Sequence, residues 1–176
     1  MDHGIPPGWS YNPSRWPERL VLVGLALVGF GIALYLSLYQ LGVFPSVWEP
    51  FFGNGSRVIL HSGLAHLLPV PDAFLGAIGY LVEAISGAIG CSTRWRTRPW
   101  VVVVYGIAVG SLGLVSILLF ICQPLIFHAW CTLCLASAIL SIALVVPAMD
   151  EVLASLQYLK RKRTSSHHPD TTLRVK

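Results

Sequence analysis

Residues 101–149 read VVVVYGIAVGSLGLVSILLFICQPLIFHAWCTLCLASAILSIALVVPAM, a stretch without Asp, Glu, Lys or Arg. It divides into two apolar segments, residues 101–122 and 129–149, which a short turn separates. Each segment is close to the ~20 residues that a helix needs to cross a bilayer. Because only helices satisfy their own backbone hydrogen bonds in lipid, both segments are predicted to be helical despite their many β-branched residues.

Two more apolar segments precede this stretch, at residues 20–43 and 70–90. The second is the less uniform of the two, since it contains Asp72, Glu83 and several glycines. Over the whole chain 55% of the residues are apolar and 11% are charged, against about 25% charged in an ordinary soluble domain. These numbers exclude a soluble globular domain and a disordered chain. We therefore predict an all-α, polytopic membrane protein with a bundle of four transmembrane helices.

The basic residues predict how these segments are oriented. Eleven of the twelve fall on one side of a four-span arrangement: Arg15, Arg19, Arg94, Arg96, Arg98, Lys160, Arg161, Lys162, Arg163, Arg174 and Lys176. Arg57 alone falls on the other side. Because basic residues concentrate on the cytoplasmic side of membrane proteins, both termini are expected in the cytoplasm.

The basic run at residues 160–163 also predicts a partner. It follows an apolar segment directly and has no interleaved aromatic residues. That placement suits an anionic membrane surface, so the lipid bilayer and not nucleic acid is the expected partner. Three parts of the chain follow: a cytoplasmic segment at 1–19, the membrane domain at 20–149, and a basic cytoplasmic tail at 150–176.

The ends of the membrane domain have patterns of their own. Residues 20–43 are expected to stay as an anchor, since no A-x-A-like cleavage site follows them. Residues 150–160 are predicted to continue as a surface helix, with a disordered tail from Thr164 onward. In the outer loop, at about 44–69, one helical stripe is made of Leu60, Leu64, Leu67 and Leu68. The stripe predicts a short helix that lies on the membrane surface and covers the bundle; the alternative is a loop helix that only packs against it.

Cys131-Thr132-Leu133-Cys134 is a C-x-x-C motif at the outer mouth of the last apolar segment. Residues three apart on a helix lie about 5–6 Å apart, which is within reach of a disulfide. At the first turn of a helix, free N–H groups and the positive dipole end stabilise a thiolate, the nucleophile of disulfide exchange. The motif therefore predicts a redox pair, although buried cysteines that only pack are a standing alternative.

A metal site is a second interpretation of the same region. His128, Cys131 and Cys134 form an H-x-x-C-x-x-C series, and His61 and His66 lie on the same membrane side. Zinc or copper accepts such ligands. A structural zinc site, however, needs four ligands and typically a second close pair, and the outer loop contains no Cys. No metal is therefore predicted.

Three other residues have open interpretations. Cys122 precedes the motif across a tight turn, where it is either a packed thiol or close enough to join the pair. Cys91 falls at the opposite membrane side and is predicted to be inert. Glu83 lies at lipid depth, where a carboxylate is costly unless it faces protein or water. It is therefore either a polar contact that holds the helices together or a functional group.

Three elements resemble the bacterial branch of the vitamin K epoxide reductase family: residues 55–62 (GSRVILHS), residues 69–80 (PVPDAFLGAIGY) and the C-x-x-C-L-A-S element that starts at Cys131. The resemblance covers about residues 20–146. It implies a four-helix bundle that holds a quinone, of ubiquinone or menaquinone type, beside the C-x-x-C motif. It also implies a loop cysteine pair that passes electrons from a thioredoxin-like extracytoplasmic partner.

The resemblance assigns roles to four residues. Cys134 would be the thiol that faces the quinone, and Cys131 the one that exchanges disulfides. Ser62 would match a loop serine of the family near the quinone pocket. Asp72 falls near the place where some members have a polar contact to the quinone.

The chain departs from the family at two points. The family's outer loop has two cysteines, one just before a segment like residues 56–62, but residues 43–69 here contain none. Ala138 stands where some members have an aromatic residue. Three explanations would account for the missing pair. A partner thiol attacks Cys131 directly, Cys122 serves as a substitute, or the protein has lost the activity and kept the fold. We expect a membrane quinone-linked thiol–disulfide oxidoreductase; the alternative is a non-enzymatic membrane module.

Overall fold

The computed structural model describes residues 5–63 and 71–166, and in this part of the chain helices alternate with loops, without a β-strand. The helices are α1 (Trp16–Gln40), α2 (Gly55–Leu60), α3 (Asp72–Ala88), α4 (Arg94–Thr97), α5 (Pro99–Cys122) and α6 (Thr132–Ser166), with a π-helical turn (Gln123–Phe127) after α5. The predicted all-α class is confirmed for these residues.

Within the described residues, three helices are long and apolar enough to cross a membrane: Trp16–Gln40, Pro99–Phe127 and Thr132–Thr164. Large apolar side chains on their outer faces are exposed, among them Leu20, Ile107 and Val146, each more than 60% exposed. Such faces are stable against lipid, so the chain is an integral membrane protein. The helix α3 has 17 residues, about 25 Å at 1.5 Å per residue, which is short of a ~30 Å hydrocarbon core. The count of four spans is therefore not confirmed.

The helices α1 and α3 pack closely because small residues line their contact. Ala26, Ala33, Ala77 and Ala84 are buried there. A Cβ added at Gly29 would lie 2.4 Å from Cε1 of Tyr80, so the aromatic ring occupies the space that glycine leaves. The Tyr80 hydroxyl donates to the carbonyl of Ser137 on α6 at 2.5 Å. Small residues let membrane helices approach, and Tyr80 then ties the pair to α6.

Several charged side chains that the sequence places outside the membrane are buried in the structure. Arg94 forms a buried ion pair with Glu151 on α6. Glu151 also accepts a hydrogen bond from the hydroxyl of Ser14. Arg19, 1% exposed, donates to the carbonyls of Gly87 and Ile89, and so satisfies oxygens that the end of α3 leaves free. These contacts define the end of the bundle that we call the basic end.

The helix α6 continues beyond residue 149, as predicted, and extends past the predicted start of the disordered tail at Thr164. It begins at Thr132 and continues through Pro147 to Ser166 without a break. Its last turns have a partner, since Ala154 is buried and the rings of Trp95 and Tyr158 meet at 5.8 Å. Of the predicted roofing stripe, Leu60 ends the short helix α2, and Leu64, Leu67 and Leu68 lie outside the described residues.

Candidate active site

Cys131 and Cys134 are joined in a disulfide at the start of α6, with their Cα atoms 5.2 Å apart. The carbonyl of Cys131 accepts from the backbone N–H of Leu135 at 2.9 Å, which begins the helix. The backbone N–H of Cys134 donates to Sγ of Cys131 at 3.1 Å. Cys131 is fully buried, whereas Cys134 is partly exposed. The two sulfur-bearing residues therefore differ in access. We call this end of the bundle the disulfide end.

The turn before the disulfide is held by Gln123, which is buried. Its side-chain Oε1 accepts from the backbone N–H of Cys131 at 3.2 Å. Its backbone carbonyl accepts from the N–H of Ala129 at 3.4 Å. His128 takes a left-handed conformation, with φ of 47°, which His tolerates better than β-branched residues. The π-helical turn and this residue together reverse the chain and deliver Cys131 to the start of α6.

Glu49 makes hydrogen bonds to the start of α6 that the sequence did not predict. One of its carboxylate oxygens lies 3.2 Å and the other 3.3 Å from the backbone N of Thr132, which donates to them. The hydroxyls of Thr132 and Ser56 also donate to this carboxylate. It thus caps the N–H of Thr132, one of those that the first turn of α6 leaves free, where a negative charge is favourable. The available signal was that Glu49 is the one acidic residue between positions 44 and 69.

The roof loop, residues 41–63, approaches the disulfide through backbone contact. A Cβ at Gly55 would lie 1.9 Å from the carbonyl oxygen of Trp130, the residue before Cys131. The ring of Trp130 lies between those of Phe52 and Phe120, with centroids 6.3 and 5.9 Å away. Position 55 lies just before residues 56–62, and the resemblance places a loop cysteine just before that segment. In this arrangement it has no room for a side chain.

An apolar cluster lies on the Cys134 side of the disulfide. Leu36, Tyr39 and Leu60 form its buried core, and Cys134 and Ala73 pack against it. The cluster gathers side chains from α1, α2 and α3 beside the more accessible cysteine. The cluster is buried, and its side chains are apolar like those that line most ligand sites.

Polar groups at the rim of the cluster include two of the predicted site residues. Gln40 donates from Nε2 to Oδ1 of Asp72 at 2.6 Å and to the carbonyl of Leu60 at 3.3 Å. Asp72 also accepts from the N–H of Ala73 at 2.8 Å, at the start of α3. Ser62 follows α2, and its N–H donates to the carbonyl of Ile59 at 3.1 Å. The structure therefore brings Asp72 and Ser62 to the same end of the bundle as the disulfide.

The remaining candidates are Cys122, Cys91, Glu83 and the histidines near the C-x-x-C motif. Cys122 and Cys91 are free thiols. Cys91 is exposed near the basic end, where hydrogen bonding with the Thr93 hydroxyl lowers its pKa to about 7. No three His, Cys, Asp or Glu side chains gather as a metal site within the described ranges, and His66 lies outside them. Glu83 is buried on α3, and its Oε2 has no hydrogen-bond partner in the described part of the chain.

Comparison with known proteins adds one positive finding. The sequence model of the Vitamin K epoxide reductase family matches residues 20–149. The match takes in most of the chain and both residues of the disulfide. Comparison with individually curated proteins gave no match.

Proposed function

Because this chain belongs to the vitamin K epoxide reductase family, a family of membrane thiol–disulfide and quinone oxidoreductases, we propose that it passes electrons from an extracytoplasmic dithiol to a membrane quinone. The observation that carries the proposal is the Cys131–Cys134 disulfide at the first turn of α6, with Cys134 packed against an apolar cluster. A disulfide accepts two electrons when it is reduced to two thiols. At the first turn of a helix, the N–H groups and the positive end of the dipole stabilise the thiolate that forms.

The chemistry balances in two halves. A donor thiolate attacks one sulfur of the pair and forms a mixed disulfide. The second donor thiol then attacks the donor's sulfur in this mixed disulfide, so that the donor leaves as a disulfide. Cys131 and Cys134 are left as two thiols, having taken up two electrons and two protons. They return to the disulfide when those electrons and protons pass to the quinone, which leaves as quinol.

The residues present fit a quinone as the acceptor. Its ring and isoprenoid tail are apolar and match the cluster of Leu36, Tyr39 and Leu60, while its two oxygens need polar partners. The Ser62 hydroxyl and the Gln40–Asp72 pair are the groups at the rim that would orient it. Ubiquinone and menaquinone share these features, so the quinone is proposed as a class.

The arrangement of the chain in the membrane is part of the proposal. The helix α3 would serve as a fourth span beside α1, with residues 1–19 and 150–176 in the cytoplasm of a bacterial cell and 20–149 in its inner membrane. The disulfide end then faces outward, where a thioredoxin-like donor would meet it. The eleven basic residues on the opposite side support this orientation.

The test is quinone reduction by the purified full chain in lipid nanodiscs. Dithiothreitol serves as the donor, and a short-chain ubiquinone or menaquinone serves as the acceptor. We expect quinol formation by the wild type and by Cys91→Ala, and loss of at least a hundredfold in Cys134→Ala and Cys131→Ala. Equal rates in wild type and Cys134→Ala would reject the proposal and leave a non-enzymatic module.

A further inference from the structure

The contacts of Glu49 bear on how a donor thiol reaches the sulfur of Cys131. Cys131 is fully buried, and the roof loop contacts the residues on both sides of it, Trp130 through Gly55 and Thr132 through Glu49. A sulfur so buried is closed to a thiol from another protein in this structure. Glu49 is the residue of that loop whose side chain is bound to the first turn of α6.

The Glu49 carboxylate is well anchored where it lies. It accepts from the backbone N–H and hydroxyl of Thr132 and from the hydroxyl of Ser56, which is fully buried. No ion pair joins Glu49 to a basic side chain among the residues described. Hydrogen bonds to a charged acceptor are stronger than those between two neutral groups.

The charge of Glu49 also bears on the reduced form of the pair. A Cys131 thiolate would draw on the same positive end of α6 that the Glu49 carboxylate already occupies. Two negative charges so placed repel each other, so the carboxylate disfavours the thiolate and favours the neutral disulfide.

We propose that Glu49 is a positioning residue of the exchange step, which latches the roof loop over Cys131 and holds the pair toward its disulfide form. The inference rests on the proposed function for the identity of the reaction. Opening of the latch, by a partner that competes for the Glu49 contacts, would then admit the donor thiol to Cys131. In this chain the latch supplies a non-covalent tie between the roof loop and the disulfide, where the loop lacks cysteines.

The experiment follows reduction of the disulfide by glutathione, without any quinone, in the full chain in nanodiscs. Aliquots are alkylated with a maleimide, and mass spectrometry counts the label on Cys131 and Cys134. We expect Glu49→Gln to be reduced several-fold faster than the wild type and Glu49→Asp to recover part of the difference. Glu18→Gln, at the basic end, is the matched control and should react as the wild type does.

A second readout separates the charge from the latch. At equilibrium with a glutathione redox buffer at pH 8, Glu49→Gln should shift the pair toward the dithiol by about two- to fivefold, the size expected for one charge at a helix end. Ser56→Ala loosens the latch but keeps the charge, so it should raise the rate and leave this equilibrium near that of the wild type. Wild-type rate and equilibrium in Glu49→Gln would overturn the inference, as would a Ser56→Ala rate equal to the wild type. Since no quinone is present, failure of quinone reduction leaves these results intact.

Discussion

Gly55 and Trp130 are in backbone contact: a Cβ at position 55 would fall 1.9 Å from the Trp130 carbonyl oxygen. The contact seats the start of α2 on the residue that precedes Cys131. A side chain at position 55 would need the loop to lie farther from α6. The glycine at this position and the close approach of the loop are therefore two aspects of one arrangement.

Replacing Gly55 tests that contact. Gly55→Ala forces the loop away from Trp130, and we expect a loss of about 1–3 kcal/mol in the free energy of unfolding, as for overpacking elsewhere. The measurement is denaturant unfolding in detergent micelles. Gly63→Ala is the control, because none of the described residues beyond its chain neighbours has an atom within 4 Å of a Cβ there. Equal stability of the two variants would mean that the loop does not rest on Trp130.

The buried ion pair between Arg94 and Glu151 should be costly to break from one side. Glu151→Gln leaves the Arg94 guanidinium without a countercharge, and the expected loss is about 3–5 kcal/mol in the free energy of unfolding. Glu18→Gln removes the partner of Arg15 in an exposed pair, and it should cost less than about 1 kcal/mol. Similar losses in the two variants would show that the Arg94 pair is solvated.

Tyr80 should stabilise the bundle through its hydroxyl. Tyr80→Phe keeps the ring against Gly29 but removes the hydrogen bonds to the carbonyl of Ser137 and to the hydroxyl of Ser141. We expect a loss of about 1–2 kcal/mol in unfolding experiments. Tyr158→Phe, which keeps the ring contact with Trp95, is the matched control and should be close to neutral. A larger effect in the control would contradict the assignment.

Cys91 should be the first thiol to react in any labelling experiment. Its pKa of about 7, below the usual value near 8.5, makes about half of it thiolate at pH 7, with the Thr93 hydroxyl as the main cause. The alkylation rate with iodoacetamide should therefore reach half its maximum near pH 7 and rise little above pH 8. Thr93→Val should move that midpoint upward. A midpoint unchanged by the substitution would assign the shift to another group.

The sequence predicts the long helices well and the contacts between them poorly. Bilayer thickness fixes the length of an apolar helix, so the segments around α1, α5 and the start of α6 are readable from composition alone. The position of the C-x-x-C motif at the first turn of α6 follows from the same pattern. The end of α6 does not, because its last turns are held by Trp95, a partner distant in sequence.

The candidate site shows the same division. Cys131 and Cys134 are recognisable from their spacing, and Asp72 and Ser62 from the family resemblance. Glu49 is not, since it meets Thr132 across 83 positions of sequence and no local pattern marks that pairing. The sequence marks Arg19 and Arg94 only as charges that flank a membrane, whereas their burial depends on carbonyls at the end of α3 and on Glu151.

The most direct test of the central claim is a single-turnover reaction of the purified chain. The protein is reduced, freed of reductant and mixed anaerobically with a quinone in nanodiscs, and quinol and free thiols are counted over time. The account predicts one quinol for each Cys131–Cys134 disulfide that forms, with none in Cys134→Ala. Thiols that persist in the presence of the quinone, or quinol formation without disulfide formation, would contradict it.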